Sequence, residues 1–269
     1  SLESLPGNSP VGSRMAIMLG GAAARAAEKL KAKIIAIAAH QLQCDAASIH
    51  YQGGHMLSAD GRQISWDNII ELAHRQIHGL PDGMDPGLAS FDIMQVPTGG
   101  DLPKDGKVHM YPCYSFEFHL VLVAFDPIIG KPEIRSYTIG HDCGTVINPA
   151  IVSGMTYGGI AHGIGAALLE EFAYDESGQL MTQSFLDYLM PSSHEVPDIQ
   201  LVKHCTPSPH TVFGQKGSGE SGYLGAPAAI ASAINNAVAG LGISFDSLPM
   251  RMSVISDAIA AAQQRSDHQ

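Results

Sequence analysis

The chain has few cysteines and no long hydrophobic run, and each absence argues against a class of protein. Its 269 residues include only four cysteines, none of them in a C-x-x-C pair. They are Cys44, Cys113, Cys143 and Cys205. This spacing disfavours an iron–sulfur cluster or a structural zinc site built by this chain alone, and it fits free thiols in a reducing, cytoplasmic compartment. No apolar run approaches the roughly 20 residues that a membrane span needs.

Basic residues are also scarce. The chain carries 15 Lys and Arg against 26 Asp and Glu, for a formal net charge of -11. Nucleic acids and anionic membrane surfaces attract basic faces, so this balance argues against either partner. The 13 histidines include His194, His204 and His210, which follow no metal-ligand spacing, so we expect no metal site from them.

The first hundred residues predict two helices separated by a hairpin. Gly20 and Gly21 lead into an alanine-rich stretch, from Ala22 to about Leu42, that has the periodicity of an amphipathic helix. A hairpin follows over residues 48–65, with Asp60 and Gly61 at its turn. Ser65 is the predicted N-cap of the second helix, and the Pro- and Gly-containing segment 80–107 predicts a long loop.

Two strands and two more helices are predicted in the remainder. Alternate apolar residues predict a strand that ends near Asp126, and a turn to Gly130 leads into a second strand that pairs with it. The alternate residues are Phe116, Phe118, Leu120 and Leu122. A glycine-rich helix covers residues 154–175, and an alanine-rich helix opened by Pro227 ends near Leu241. Glycine inside a helix is unfavourable by about 1 kcal/mol relative to alanine, so these glycines imply close packing or a bound cofactor. They are Gly158, Gly159, Gly163 and Gly165.

The segment FGQKGSGESGYLGAP, from Phe213 to Pro227, places a single carboxylate, Glu220, among five glycines. Glycine lets the backbone approach another group closely and direct its N–H donors at it. The segment is not a nucleotide-binding P-loop, because Lys216 precedes the glycines. No Rossmann fingerprint and no G-x-S-x-G nucleophile elbow is present either. A lone carboxylate here suits a general base that serves a reactive group the chain does not encode, although a glycine-rich turn with a solvated glutamate remains an alternative.

Four ordered blocks of the sequence resemble the molybdenum hydroxylases, the family of xanthine dehydrogenase, aldehyde oxidoreductase and aerobic carbon monoxide dehydrogenase. The blocks are NSPVGSRMAIMLGGAAARAAEKL, HDCGTVINPAIVSGMTYGGIAHGIGAALLEE, SFLDYLMPSSHEVPDIQ and TPSPHTVFGQKGSGESGYLGAPAAIASAI. The resemblance is to the C-terminal part of the molybdenum-binding subunit and covers nearly the whole chain. It implies an α+β fold of mixed sheets packed with helices, the molybdenum-cofactor-binding domain of the xanthine dehydrogenase type. We expect one composite domain over residues 1–269, with two lobes divided near residues 110–140.

The resemblance also implies roles for individual residues. Glu220 matches the family's catalytic glutamate, which acts as general base in water-derived hydroxylation while hydride passes to the molybdenum centre. The molybdenum itself is held by the pterin, so no protein ligand is expected. The residues that match the family's cofactor-binding segments are Gly12, Ser13, Arg14, Met15, His162, Gly163, Lys216, Gly217, Ser218 and Gly219. Met15 stands where the family often has a second serine, and His162 and Met155 stand where it often has glutamine.

The implied cofactor is molybdopterin or its cytosine dinucleotide form, and the implied substrate is a small molecule, an aromatic N-heterocycle or an aldehyde. Iron–sulfur clusters and FAD would reside on partner subunits, beside a larger N-terminal molybdenum-subunit partner. We favour a separately encoded piece of a split molybdenum subunit over a fragment of a longer chain. A cofactor-binding or assembly subunit that performs no chemistry remains the alternative, and Glu220 separates the two because a scaffold needs no acid there.

Overall fold

A computed structural model describes residues 11–96, 106–107, 111–126 and 128–267. The chain divides into two compact units. Unit 1 comprises Ser1–Ala16 with Pro97–Gln269, and unit 2 comprises Ile17–Val96. Residues 110–140, near which we predicted the lobe boundary, fall within unit 1, and the two longest strands of the described residues begin there.

Unit 2 combines helices with a small antiparallel sheet. Its elements are α1 (Met15–Leu42, whose first two residues belong to unit 1), β1 (His50–Gln52), β2 (His55–Leu57), β3 (Gln63–Ser65) and α2 (Trp66–His74). Ile37 and Ile69 meet in its core, where both are fully buried. The helix α1 ends where we predicted but begins seven residues earlier, at Met15. The predicted hairpin is a three-stranded meander, because Gly53 and Gly54 adopt positive φ angles and form an additional turn.

The predicted cap of α2 is confirmed. The Ser65 side chain accepts a hydrogen bond from the Asn68 N–H at 3.2 Å, which satisfies one of the unpaired donors at the helix start. Residues 80–96 contain no helix or strand, as expected for the loop, while 97–105 and 108–110 lie outside the described residues.

Unit 1 packs three helices against one face of a mixed sheet, which confirms the α+β class. Its elements are β4 (Phe116–Asp126), β5 (Lys131–Asp142), α3 (Pro149–Leu168), β6 (Ile199–His204), α4 (Ala226–Val238) and α5 (Met252–Asp267). The strand order is β4-β5-β6, antiparallel in the first pair, as predicted, and parallel in the second. Ile139, Ile160 and Ile230 bring β5, α3 and α4 together in the core. Pro227 lies in the first turn of α4, where a missing N–H has no cost.

The alternating apolar residues of β4 share one face, as the period of two requires, but that face is exposed. Phe116, Phe118, Leu120 and Leu122 are 61–69% exposed, and β4 is an edge strand. The opposite, inward face carries Glu117 and His119, whose side chains are 14% and 6% exposed. The first half of the strand thus directs polar groups inward and apolar groups outward, the reverse of a half-buried surface strand, while Val121 and Phe125 pack against the core further along.

Of the four glycines named above in the predicted helix, three serve packing in α3. A Cβ at Gly159 would overlap the Ser221 carbonyl, one at Gly163 would press on Ala226, and one at Gly165 would overlap the Glu170 carboxylate. A Cβ at Gly158 would meet nothing within 4 Å among the described residues. In the described part of the chain, no helix is both long and apolar enough to cross a membrane.

Candidate functional site

Glu220 lies in unit 1, beside the segment that precedes α1. Ser13 Oγ donates to Glu220 Oε2 at 2.8 Å and accepts from the Glu220 N–H at 3.1 Å. Gln215 fixes the same approach, because its buried amide donates from Nε2 to the Ala16 carbonyl at 2.8 Å. Two segments about 200 residues apart in sequence are therefore joined around one exposed carboxylate.

The predicted cofactor glycines of the loop face Ser13. A Cβ at Gly217 would overlap the Ser13 carbonyl oxygen, and one at Gly219 would lie 3.0 Å from Ser13 Oγ and 3.6 Å from the Met155 methyl carbon. Glycine is required at position 217 by this backbone contact, since neither segment could approach so closely with a side chain between them. The structure thus brings Ser13, Met155, Gly217, Gly219 and Glu220 into one place.

The turn before α1 has an unusual backbone. Gly12 and Ser13 both adopt left-handed φ angles, of 66° and 56°. The helix begins two residues later at Met15, whose side chain is exposed. Because the start of a helix carries the positive end of its dipole, this turn suits an anion such as a phosphate. Together with the exposed Glu220, it is a donor and acceptor set that fits a phosphate-bearing polar cofactor.

Lys216 occupies a different position from the neighbouring glycines. Its ammonium is buried, donates to Thr206 Oγ1 at 2.7 Å and lies 3.3 Å from Asp142 Oδ2. Burial alone would raise the pKa of Asp142. The hydrogen bonds from Thr206 and Gly144 and the contact with Lys216 outweigh that effect and hold the pKa well below its usual range. Lys216 is thus one half of a buried ion pair.

His162 is exposed on α3 and stacks on Tyr223, with ring centroids 4.3 Å apart and planes 23° from parallel. Tyr223 lies three residues after Glu220, so this contact ties α3 to the loop. Gly163, the next residue, faces the interior against Ala226 and Pro227. Its small size serves the packing of α3 on α4, and a ligand would reach His162 but not Gly163 from the exposed side.

A buried polar cluster that the sequence did not predict lies behind the loop. Both oxygens of Glu117 accept from the Gly222 N–H, at 2.8 and 3.0 Å. His141 Nε2 lies 2.9 Å from Ser221 Oγ and 3.7 Å from Glu117 Oε1. His119 Nε2 lies 3.3 Å from Glu117 Oε2. These contacts reach the two residues that follow Glu220.

The cluster continues to Tyr137, whose hydroxyl lies 2.8 Å from His119 Nδ1. Burial lowers the pKa of His141, and it raises the pKa of Tyr137, which the Glu117 carboxylate raises further. Burial would raise the pKa of Glu117, but the hydrogen bonds from His119 and Gly222 and the nearby His141 bring it below its usual value. The cluster is therefore a buried carboxylate that accepts from N–H donors and lies among aromatic side chains.

The sequence did contain a sign of this cluster. Glu117 and His119 alternate with Phe116, Phe118 and Leu120, and a strand with one polar face is ordinarily assumed to expose that face. Only the tertiary fold, which covers the polar face with the loop and α4, shows that these two residues are buried.

Comparison with protein families places the chain among known cofactor-binding domains. Residues 3–197 match the family model described as a molybdopterin cofactor-binding domain. The matched range includes Ser13, Met155 and His162 and ends before the Glu220 loop.

Characterised relatives cover this chain almost entirely. It is 34% identical over 245 residues to the nicotine 6-hydroxylase large subunit of Paenarthrobacter nicotinovorans, covering 90% of this chain and 28% of that protein. It is 29% identical over 238 residues to the carbon monoxide dehydrogenase large chain of Hydrogenophaga pseudoflava, covering 88% of this chain and 28% of that protein. The chain thus spans less than a third of the length of these relatives.

Solved structures share the fold. Quinoline 2-oxidoreductase from Pseudomonas putida 86 matches with a TM-score of 0.81 and 31% identity, over 96% of this chain and 32% of that one. Reconstituted carbon monoxide dehydrogenase from Oligotropha carboxidovorans matches with a TM-score of 0.82 and 26% identity, over 98% of this chain and 31% of that one.

Proposed function

This chain belongs to the family of molybdopterin cofactor-binding domains, and we propose from this premise that it forms the catalytic wall of a molybdenum-dependent hydroxylase. Glu220 acts as the general base. The substrate is oxidised at an electron-poor carbon, and water supplies the oxygen.

The observation that carries this proposal is the double hydrogen bond between Ser13 and Glu220. Ser13 belongs to the turn before α1 that suits a phosphate, and Glu220 is the acid of the glycine loop. The pair therefore joins an anion site to a proton acceptor. Ser13 donates to Oε2, which leaves Oε1 as the oxygen that accepts the proton lost by the water-derived oxygen.

The chain's own residues would bind and orient the cofactor. Gly12, Ser13, Arg14 and Met15 would contact its phosphate, while Ser218 and Gly219 would lie along the pterin. The molybdopterin, in its mononucleotide or cytosine dinucleotide form, supplies two-electron oxidation when bound. His162 would donate a hydrogen bond from its exposed ring, whose plane is held by Tyr223. Lys216 and Gly163 contribute indirectly, by fixing the loop and α3.

An aromatic N-heterocycle is the substrate class that we propose. Two of the proteins to which the chain is similar are named for nicotine and quinoline. The chain is 34% and 31% identical to these two, compared with 29% and 26% to the two carbon monoxide dehydrogenases above. An aldehyde is the second candidate. The exposed position of Glu220 implies that a further wall, supplied from outside this chain, encloses the substrate.

We propose that the wall belongs to a larger molybdenum-subunit partner, and that an iron–sulfur subunit and a flavoprotein conduct the electrons away. The exposed apolar face of β4 suits such a partner, because large apolar interfaces are typical of obligate assemblies. The working compartment in this proposal is the cytoplasm.

Purification of the native assembly tests this function. We expect molybdenum and pterin in equimolar ratio with this chain, iron–sulfur and flavin chains beside it, and dye reduction that depends on quinoline or a similar heterocycle. An assembly that holds the cofactor but oxidises neither heterocycles nor aldehydes would favour the scaffold instead.

A further inference from the structure

The cluster of Glu117, His119 and His141 is buried, polar and not used by the chemistry proposed above. Its members lie on β4 and β5, and Glu117 and His141 are directly opposite each other in the antiparallel register. Burying a carboxylate is unfavourable unless its oxygens accept hydrogen bonds. The Gly222 N–H and His119 supply those bonds. An apolar residue at position 117 would not have to be satisfied in this way, but it would offer no acceptor to the Gly222 N–H.

The contacts of the cluster are made to the turn that carries Glu220. Gly222, which bonds both Glu117 oxygens, is two residues from Glu220. Ser221, between them, has its hydroxyl 2.9 Å from His141 Nε2. The ring of His119 lies against Gly225, where an added Cβ would be 2.5 Å from the imidazole. The strand pair therefore holds the turn from one side at successive points.

Helix α3 closes the other side of the turn. Gly222 has a φ of 84°, and a Cβ on it would overlap the Thr156 carbonyl oxygen. A Cβ on Gly159 would overlap the Ser221 carbonyl and approach the Tyr223 nitrogen to 2.8 Å. With helix backbone on one side and a carboxylate on the other, the peptide that follows Glu220 has a fixed orientation.

From these contacts we infer that Glu117 is a positioning residue, which orients the Glu220 turn through the Gly222 N–H, with His119 and His141 as its supports. The inference rests on the proposed role of Glu220 as the base. A base must lie within hydrogen-bonding reach of the proton it takes, and a displacement of about 1 Å can lower the rate by roughly 100-fold. Ser13 bonds the side chain and the N–H of Glu220, and Glu117 bonds the N–H of Gly222, two residues later.

The charge states of the cluster agree with this role. The pKa of Glu117 is lowered, so it is an ionised acceptor near pH 7. Burial lowers the pKa of His141, which keeps this imidazole neutral at the same pH. A whole buried ionic network can often be replaced by apolar residues without loss of stability, so stability alone does not require one here.

The test uses the native assembly and the variant Glu117→Leu, which fills a similar volume but has no acceptor. We expect molybdenum content to stay near wild type and the thermal midpoint to fall by only a few degrees, because the Gly222 N–H loses its acceptor. We expect kcat to fall about 10- to 100-fold with KM little changed, and amide exchange to become faster in the peptide covering residues 217–225. Glu117→Gln retains a carbonyl acceptor for the Gly222 N–H and should restore kcat to within about 3-fold of wild type.

Glu133→Gln is the matched control, because Glu133 lies on β5 of the same sheet but is exposed and paired with Arg135. It should leave both kcat and exchange unchanged. Wild-type kcat and exchange in Glu117→Leu would overturn the inference, and so would equal impairment of the Leu and Gln variants. If Glu117→Leu does not assemble, Ser221→Ala decides, since it removes the His141 contact to the same turn. Unchanged kcat and exchange in Ser221→Ala would also overturn it.

Failure of this inference is distinguishable from failure of the proposed function. If Glu220→Gln abolishes turnover while Glu117→Leu does not affect it, only the positioning role is wrong. If Glu220→Gln itself turns over normally, the base assignment is wrong.

Discussion

Ser13 and Glu220 are 207 positions apart in the chain and hydrogen-bond each other twice, once through the Glu220 carboxylate and once through its N–H. A hydroxyl that donates to a carboxylate oxygen while accepting from the backbone of the same residue leaves that side chain few alternative rotamers. The relationship explains why a serine is found in a left-handed conformation before α1.

The first prediction concerns this serine. A hydrogen bond to a charged group contributes about 1.5–3 kcal/mol, so its loss from the base should lower kcat roughly 10- to 100-fold. Ser13→Ala and Ser13→Gly both remove the hydroxyl, but glycine adopts the φ of 56° without strain. We expect equal losses of kcat in the two variants, with molybdenum retained. Recovery in Ser13→Gly alone would show that backbone strain, and not the hydroxyl, limits Ser13→Ala.

The second prediction concerns the buried Lys216–Asp142 pair. Asp142→Asn leaves the Lys216 charge buried without its partner, which typically lowers stability by about 3 kcal/mol and the thermal midpoint by roughly 6–12 °C. Adding Lys216→Met should recover part of the loss. Asp257→Asn, on the exposed side of α5, is the control. Additive effects of the two substitutions in differential scanning fluorimetry would contradict the pairing.

The same pair predicts a dependence of stability on pH. The pKa of Asp142 is depressed in the folded chain, so its contribution is complete above the unfolded value of about 3.9 and is lost as the pH falls through the lower folded value. The difference in midpoint between wild type and Asp142→Asn should therefore narrow as the pH falls below about 4. If the difference in thermal midpoint stayed constant down to the lowest pH at which both proteins are folded, the lowered pKa of Asp142 in the folded chain would be contradicted.

The exposed face of β4 predicts a dependence on a partner. We expect the chain expressed alone to associate or precipitate, and the double variant Phe118→Ser, Leu120→Ser to be more soluble alone but to lose its partner on co-purification. Ile128→Ser is the control, because Ile128 is 88% exposed but lies in the β4–β5 turn. Normal co-purification of the double variant would exclude this face as the interface.

The open position on α3 yields a further prediction. In an isolated helix, replacing glycine by alanine is stabilising by about 1 kcal/mol. Gly158→Ala adds its Cβ to open space, one turn before His162 on the same side of the helix. If the cofactor lies along this side, Gly158→Ala should reduce molybdenum content, whereas Gly20→Ala, open in α1, should not. Equal molybdenum content in the two variants would show that the cofactor does not lie along this side of α3.

Local rules were sufficient for most elements of the fold. The Ser65 cap, the Pro227 start of α4 and the pairing of β4 with β5 all depend on neighbouring residues, and each was predicted correctly. The additional turn at Gly53 and Gly54 was missed because only one turn, at Asp60 and Gly61, was assigned to a segment that contains two turn signals.

The site depended on contacts between distant segments. The resemblance identified Ser13 and Glu220 separately, and only the structure brings them together. The motifs likewise assign Lys216 and Gly163 to the cofactor, and only the structure shows that they are buried against Asp142 and Ala226. The inward orientation of Glu117 could not be derived either, because strand periodicity defines two faces without saying which one is covered.

The most direct measurement is the turnover of Glu220→Gln in the native assembly, with molybdenum determined on the same sample. Glutamine keeps the size and a hydrogen-bonding carbonyl but cannot accept the proton, so kcat should fall at least about 100-fold while the molybdenum content is unchanged. Glu176→Gln, an exposed glutamate in a turn, should behave as wild type. Turnover of Glu220→Gln within a few fold of wild type, with full molybdenum, would contradict the account.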